Sequence, residues 1–332
     1  MDRFRVYEGL RLYSFYGIII KVRWEGKGIE DEIERFFSPY PFDKLGAFDS
    51  PFHIELNITD SDIPSTVPYG ASEPVTVHEL LICEKGDSIY LTDELSVFQI
   101  EAQSGRGVIT LHRSFLEKSI LVKYNFFLIG LIHLLSVRGV YDLHGAGLLK
   151  EGIGYLLLGE SGSGKSSITL SLVHQGWHYQ SDDALLLRQS EDRIESLAFR
   201  KQFYLDAVAV RHYPEIARHV RESGNGEHAK HFLDMHIFYP DQFCTSCMPK
   251  VLVFSSIVPQ PGSRLVPIDK TSSLIKLMKQ SESIYFNRRT VEMHVQTLKQ
   301  LVYQADSFQL FAGRDLYDQP EKITDIFSEA GI

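Results

Sequence analysis

The sequence predicts an α/β protein in two parts: a β-rich α+β N-terminal domain over residues 1–138, and a mixed sheet with helices over residues 139–332. Three observations carry that prediction. Residues 1 to about 115 alternate apolar and polar positions in short runs broken by turn residues, the pattern of half-buried strands. From about residue 139 onward, strand-like and helix-like segments alternate. Between the two lies Ser114–Ser136, helical in pattern, which hands the chain from one half to the other. At 332 residues the chain is long enough for two cores, with one large α/β domain as the alternative.

In the first half, Phe15–Val22 is β-branched and aromatic, as a strand requires. Pro39, Pro41, Pro51, Pro64, Pro68 and Pro74 punctuate a loop-rich middle. Ser88–Leu91, Val97–Ala102 and Gly107–His112 read as strands of an antiparallel sheet, with Ser104-Gly105-Arg106-Gly107 as a hairpin-like connection. Tyr124–Val137 is the longest uncharged stretch. It carries Asn125 and His133, is too short to cross a bilayer, and reads as a buried helix. No recognisable chemistry falls in this half, which leaves packing, dimerisation or substrate presentation as its roles.

In the second half, Tyr141–Leu149 reads as a strand pair or hairpin. Trp177–Gln180, Ala184–Arg188, Lys250–Ile257 and Ser307–Phe311 read as strands, and Thr271–Lys279, Thr290–Ala305 and Gln319–Ala330 as helices. Arg218–Ala229 is polar and contains Gly224-Asn225-Gly226, the composition of a mobile loop.

Composition narrows the function classes. A hydrophobic content of 44% with 23% charged residues is that of an ordinary soluble globular protein. The net charge of −9 argues against a nucleic-acid partner held on a basic surface. Met1-Asp2-Arg3-Phe4-Arg5 lacks the apolar core of a secretion signal, and no stretch is a membrane span, so a cytoplasmic protein is expected. Three cysteines, Cys83, Cys244 and Cys247, are the sparse, odd set of a reducing compartment. Cys244-Thr245-Ser246-Cys247 has redox or half-zinc spacing, with His231 and His236 nearby. No second such pair exists, and the two thiols read as incidental neighbours of a strand.

The chemistry is concentrated between residues 153 and 187. Gly159-Glu160-Ser161-Gly162-Ser163-Gly164-Lys165-Ser166 fits G-x-x-x-x-G-K-[ST] at every fixed position. That pattern rings a polyphosphate with backbone N–H groups; small residues let the main chain approach, and the lysine reaches the terminal phosphates. A chance match in a chain of this length has a probability of about 1 in 100. Tyr155–Leu158 is an apolar strand leading in, and Ser166–His174 is a helix leading out with Gly176 as its stop. The helix N-terminus then points its partial positive charge at the phosphates. Residues Gly159 to Ser166, together with Ser167, are therefore the candidate nucleotide-binding residues, with Ser166 as a Mg²⁺ ligand. Asp182-Asp183 follows after one short strand, and can supply both a metal-linked carboxylate and a proton acceptor. Arg200, Lys201 and Lys230 are the cations that could contact a phosphate or the acceptor.

Three pieces, His144-Gly145-Ala146-Gly147, Gly159 to Ser166 and Ser181-Asp182-Asp183, resemble the C-terminal P-loop kinase domain of the HPr kinase/phosphorylase family. The resemblance covers roughly residues 139–330. It implies ATP and Mg²⁺ as cofactors, His144 near the γ-phosphate, Asp182 as the proton-accepting residue and Asp183 as a holder of Mg²⁺. It also implies a homo-oligomer. Ser167 stands where members of that family tend to carry an acidic residue, and their later glycine-rich signature, associated with phosphorolysis, has no counterpart. The chain thus looks more like the divergent HPr-kinase-like proteins, including kinases of ribosomal peptide precursors such as lasso peptides. Phe311-Ala312-Gly313-Arg314-Asp315-Leu316 is also similar to a stretch in those relatives. The expectation is a kinase with Asp182, His144 and Lys165 as catalytic residues, transferring the γ-phosphoryl group to a serine hydroxyl of a peptide or small protein. A kinase of free serine or a related alcohol is the alternative, and a non-catalytic nucleotide sensor is the alternative of another class.

Overall fold

In the computed structural model the chain divides into two compact units, Met1–Arg138 and Gly139–Ile332. Residues 1–7, 47–50, 102, 201, 206–209, 211, 219–220, 224–229 and 286 lie outside the described residues.

The first unit holds a nine-stranded sheet. Its strands are β1 (Glu8–Phe15), β2 (Ile18–Glu25), β3 (Asp43–Leu45), β4 (Ile54–Ser61), β5 (Val75–Val77), β6 (Leu80–Lys85), β7 (Ser88–Thr92), β8 (Val97–Glu101) and β9 (Arg106–His112). Their order in the sheet is β3-β1-β2-β4-β9-β8-β7-β6-β5. The strand read over Phe15–Val22 is interrupted. Tyr16 and Gly17, with φ of 48° and 85°, form a tight turn that splits it into the β1–β2 hairpin. The predicted antiparallel strands are β7, β8 and β9, while β4 joins β2 and β9 in parallel. Helix α1 (Ile29–Phe37) follows β2. The helix read over Ser114–Ser136 is likewise two pieces, a 3₁₀ turn Arg113–Glu117 and α2 (Ile120–Ser136), because Ser119 caps α2 by accepting from the Val122 N–H. Gly130 of α2 is there for close approach: a Cβ on it would lie 1.9 Å from the Phe98 ring of β8.

The second unit contains the glycine-rich loop. Its first strands are β10 (Val140–His144), β11 (Ala146–Lys150) and β12 (Ile153–Leu158), followed by helix α3 (Lys165–His174). Next come β13 (His178–Ser181), β14 (Ala184–Ser190), β15 (Arg193–Ala198), β16 (Gln202–Leu205), β17 (Arg221–Ser223) and β18 (Lys230–Asp234). The last strands are β19 (Ser246–Cys247), β20 (Pro249–Ile257), β21 (Arg264–Pro267) and β22 (Asp306–Ala312). Three sheets result among the described residues, ordered β10-β14-β15-β19, β13-β11-β12-β20-β22-β21 and β16-β18-β17.

The predicted hairpin over Tyr141–Leu149 is not one. β10 pairs with β14, whereas β11 pairs with β12 and β13, so the chain changes sheet at Gly145. A Cβ there would lie 2.7 Å from the Leu158 side chain and 3.2 Å from the Leu157 carbonyl. Part of the loop read over 218–229 is strand β17, and the closing helix is a 3₁₀ turn Pro320–Lys322 followed by Ile323–Glu329.

Period-two alternation makes the central sheet a divider between two cores. Tyr155, Leu157, Val251 and Val253 face Leu170, Val173 and Trp177 of the α3 side. Leu156, Leu158, Leu252 and Phe254 face Leu277, Leu298 and Leu301 of the helices Lys270–Lys279 and Val291–Gln304. The strand registers bring the last residues of β12, β13, β20 and β22 and the first of β11 to one edge of this sheet. That edge carries the candidate site.

Candidate active site

The loop between β12 and α3 is shaped by its glycines. Gly159, Gly162 and Gly164 have φ of 149°, 80° and 86°, values that side-chain-bearing residues rarely adopt. Gly159 is also crowded, since a Cβ would lie 2.6 Å from the Ser255 carbonyl and from Ser163 Oγ. Gly164 occupies the N-cap of α3, so the first N–H groups of the helix face the loop. Lys165 is buried in the loop it closes, and its ammonium donates to the carbonyls of Gly159 (2.6 Å) and Glu160 (3.1 Å). Glu160, Ser161 and Gly162 are exposed at the tip. Ser163 is buried, with an Oγ that has no hydrogen-bond partner, and Ser167 is half-buried in the first turn of the helix.

Asp182 and Asp183 form the two-residue bend between β13 and β14, where the chain runs on from one sheet into the other. The two carboxylates diverge there, Asp182 toward Ser166 and Asp183 toward His144. Asp182 is fully buried. Its Oδ2 accepts from Ser166 Oγ (3.1 Å) and from the Tyr204 N–H (3.0 Å), while its Oδ1 has no partner. Burial, reinforced by the neighbouring charge of Asp183, pushes the Asp182 carboxyl up to about 7, against the pull of the Tyr204 N–H, Arg200 and Ser166. Asp183 remains about one-third accessible, at 35%. Its Oδ1 lies 3.4 Å from His144 Nδ1 and its Oδ2 lies 3.9 Å from Arg200 Nη1. The backbone supports the pair, since the Gly145 N–H donates to the Asp183 carbonyl and the His144 N–H to the Gln280 carbonyl.

The structure therefore gathers His144, Lys165, Ser166, Asp182, Asp183 and Arg200 around one loop. One pairing differs from the expected one. The sequence pairs Ser166 with Asp183 around the cation, whereas Ser166 bonds Asp182, because Asp182 turns in toward α3 while Asp183 turns out toward His144. Lys201 lies outside the described residues, as does the side chain of Lys230. Two contributors carried no sequence signal. The Tyr204 amide is a backbone group with no side-chain signature, and Ser255, which donates to the Ser163 carbonyl at 2.7 Å, belongs to a strand 92 residues away.

Cys244 and Cys247 stay apart from this site. Burial pushes their thiols up to about 12 and about 11, and Cys247 Sγ rests against Ser196 Oγ and Gln180 Oε1. Among the described residues no group of three His, Cys, Asp or Glu side chains could by itself hold a metal ion. A cation at Asp182 would therefore draw on Ser166 and a bound polyphosphate as well. The unpartnered Oδ1 of Asp182, fully buried beside a helix N-terminus, fits such a shared site.

No family model matches the chain. Over 81 residues it is 40% identical to the HPr kinase/phosphorylase of Caldanaerobacter subterraneus, a stretch covering 24% of this chain and 22% of the relative. The match thus spans about a fifth of the length of that curated relative. The HPr(Ser) kinase/phosphatase structure from Coxiella burnetii covers 57% of this chain and 95% of its own, at 13% identity and a TM-score of 0.30. The 81-residue sequence match supports an HPr-kinase-like family over that part of the chain. No helix among the described residues is long and apolar enough to cross a membrane.

Proposed function

We propose that the second unit is a P-loop kinase that uses ATP and Mg²⁺ to phosphorylate a serine-type hydroxyl, presented on a peptide or small protein. The observation that carries this reading is the buried, unpartnered Oδ1 of Asp182 beside the Ser166 hydroxyl at the start of α3. A carboxylate so placed is costly in a protein that binds no cation there.

Lys165 and the loop amides hold the β- and γ-phosphates; on binding, the ammonium exchanges its present carbonyl partners for phosphate oxygens. Ser166 and Asp182 would hold Mg²⁺, which neutralises phosphate charge as it is transferred. The geometry supports exchanging the two carboxylate roles expected from the sequence. Asp182 is sealed from any acceptor, whereas Asp183 is accessible and braced by His144 and Arg200. In this assignment the acceptor oxygen forms a bond to the γ-phosphorus as the bond to the β–γ bridging oxygen breaks. The hydroxyl proton goes to Asp183, and ADP leaves. Arg200 lies close enough to Asp183 to offset charge on the transferring group.

The test is transfer from γ-labelled ATP to candidate peptides, HPr and free serine, with Asp182→Asn and Asp183→Asn measured in parallel. Asp182→Asn is expected to weaken Mg²⁺-dependent ATP binding at least tenfold. Asp183→Asn should leave that binding within about threefold and lower turnover by a factor of about 100 or more. Normal MgATP binding with lost turnover in Asp182→Asn would return the proton to Asp182. Absence of labelled product from every acceptor class would leave the sensor reading.

A further inference from the structure

Beside the loop, on the side away from the two aspartates, lies a cleft of about 590 Å³. Its walls are Gly159 to Ser163, the end of β20 (Phe254 to Ile257), Gln309 and Phe311 of β22, and the last turn of the helix Lys270–Lys279. In sheet order, Asp182 and Asp183 follow β13, two strands to one side of β12, while the cleft lies over β20 and β22 on the other side. A nucleoside triphosphate whose terminal phosphate reaches the acids must carry its sugar and base away from them. That direction leads into this cleft.

The lining has the chemistry for such a load. Half-buried Phe311 supplies apolar surface for a planar ring, with the Arg264 guanidinium 4.7 Å from its centroid. Lys276, whose ammonium lies 5.9 Å from the centroid of buried Phe254, and Lys279 bring positive charge to the cleft. The unpartnered, buried Oγ of Ser163 lies where the loop meets the cleft. Gln309 is more than nine-tenths buried, and its amide orientation is fixed. Its Nε2 donates to Ser256 Oγ (3.0 Å) and to the Leu310 carbonyl (3.2 Å), and a carbonyl can only accept. Both amide hydrogens are used, which leaves Oε1 as an acceptor alone.

We infer that this cleft seats the ribose and base of the nucleotide, and that Gln309 Oε1 selects a base bearing an exocyclic amino group. The assignment rests on the kinase reading and adds to it where the nucleoside lies and which residue reads it.

Binding of ATP, ITP and inorganic tripolyphosphate to the full chain tests it. ATP should bind at least fivefold more tightly than ITP, which has an oxo group in place of the 6-amino group. Gln309→Leu should bring that ratio to near one, and Phe311→Ala should weaken ATP at least fivefold, with tripolyphosphate within about twofold of wild type in both. Lys165→Ala should weaken all three ligands. If ATP and tripolyphosphate weaken together in the two cleft variants, the cleft acts on phosphates and the inference falls. If neither variant changes ATP binding, it also falls while the kinase reading stands. Wild-type protein that binds neither ATP nor tripolyphosphate would overturn both. Phe311→Tyr, which keeps the ring, should bind ATP as wild type does, and retained tripolyphosphate binding by Phe311→Ala excludes a general folding defect in that variant.

Discussion

At the scale of single residues, the site stores its tension in Asp182. The folded chain keeps this carboxyl protonated up to about pH 7, whereas an unperturbed one loses its proton near 3.8. Between those values the native state binds more protons than the unfolded one, so the contribution favours folding as pH falls through 7 and is lost above it. Ionising the buried group costs the ligand-free protein on the order of a few kcal/mol. Asp182→Asn removes the charge and keeps the shape. It should raise the unfolding midpoint of the ligand-free protein most at about pH 8, by less than half as much at about pH 5, and little below about pH 4, where both states hold the proton. Thermal unfolding across that range checks this. Parallel curves for wild type and variant would mean that Asp182 ionises in the ordinary carboxylate range.

At the scale of elements, the loop separates two uses of glycine. At Gly162 nothing lies within 4 Å of a would-be Cβ, so Gly162→Ala meets only the cost of φ near +80°, about 1–2 kcal/mol. At Gly159 the same substitution also drives a methyl group into the Ser255 carbonyl at 2.6 Å, a further ~1–3 kcal/mol, and pushes the loop off β20. Gly159→Ala should therefore be the more destabilising in chemical denaturation and should weaken ATP binding more. Equal effects would mean that the β20 contact does not fix the loop. The glycines also show what a sequence discloses. The strand, loop and helix around residues 153–174 were legible because fixed residue types at fixed spacing make the structure. The turn at Tyr16-Gly17 was hidden between aromatic and β-branched residues, where Gly17 alone marks it and Tyr16 is no usual turn residue. The change of sheet at Gly145 was hidden because alternation continues on both sides of it. Which aspartate meets Ser166 depends on the path of the turn after β13, and two adjacent identical residues give no clue to it.

At the scale of the whole molecule, each unit has buried apolar residues enough for a core of its own. Phe15, Ile20, Val22, Ile54, Phe98 and Phe126 are buried in the first, and both clusters that flank the central sheet are composed wholly of residues from 139–332. Every candidate active-site residue, from His144 to Gln309, also falls in the second unit. A net charge of −9 adds a constraint, because a polyanion can be held only by local positive groups such as Lys165, Lys276 and Lys279 and by helix-end amides, not by the overall field. The nucleotide affinity should then be a property of residues 139–332 alone. That fragment is expected to unfold cooperatively and to bind ATP within about threefold of the full chain. Removal of the N-terminal unit should then leave the KM for ATP in place. A folded fragment that fails to bind ATP would mean that the first unit completes the nucleotide site.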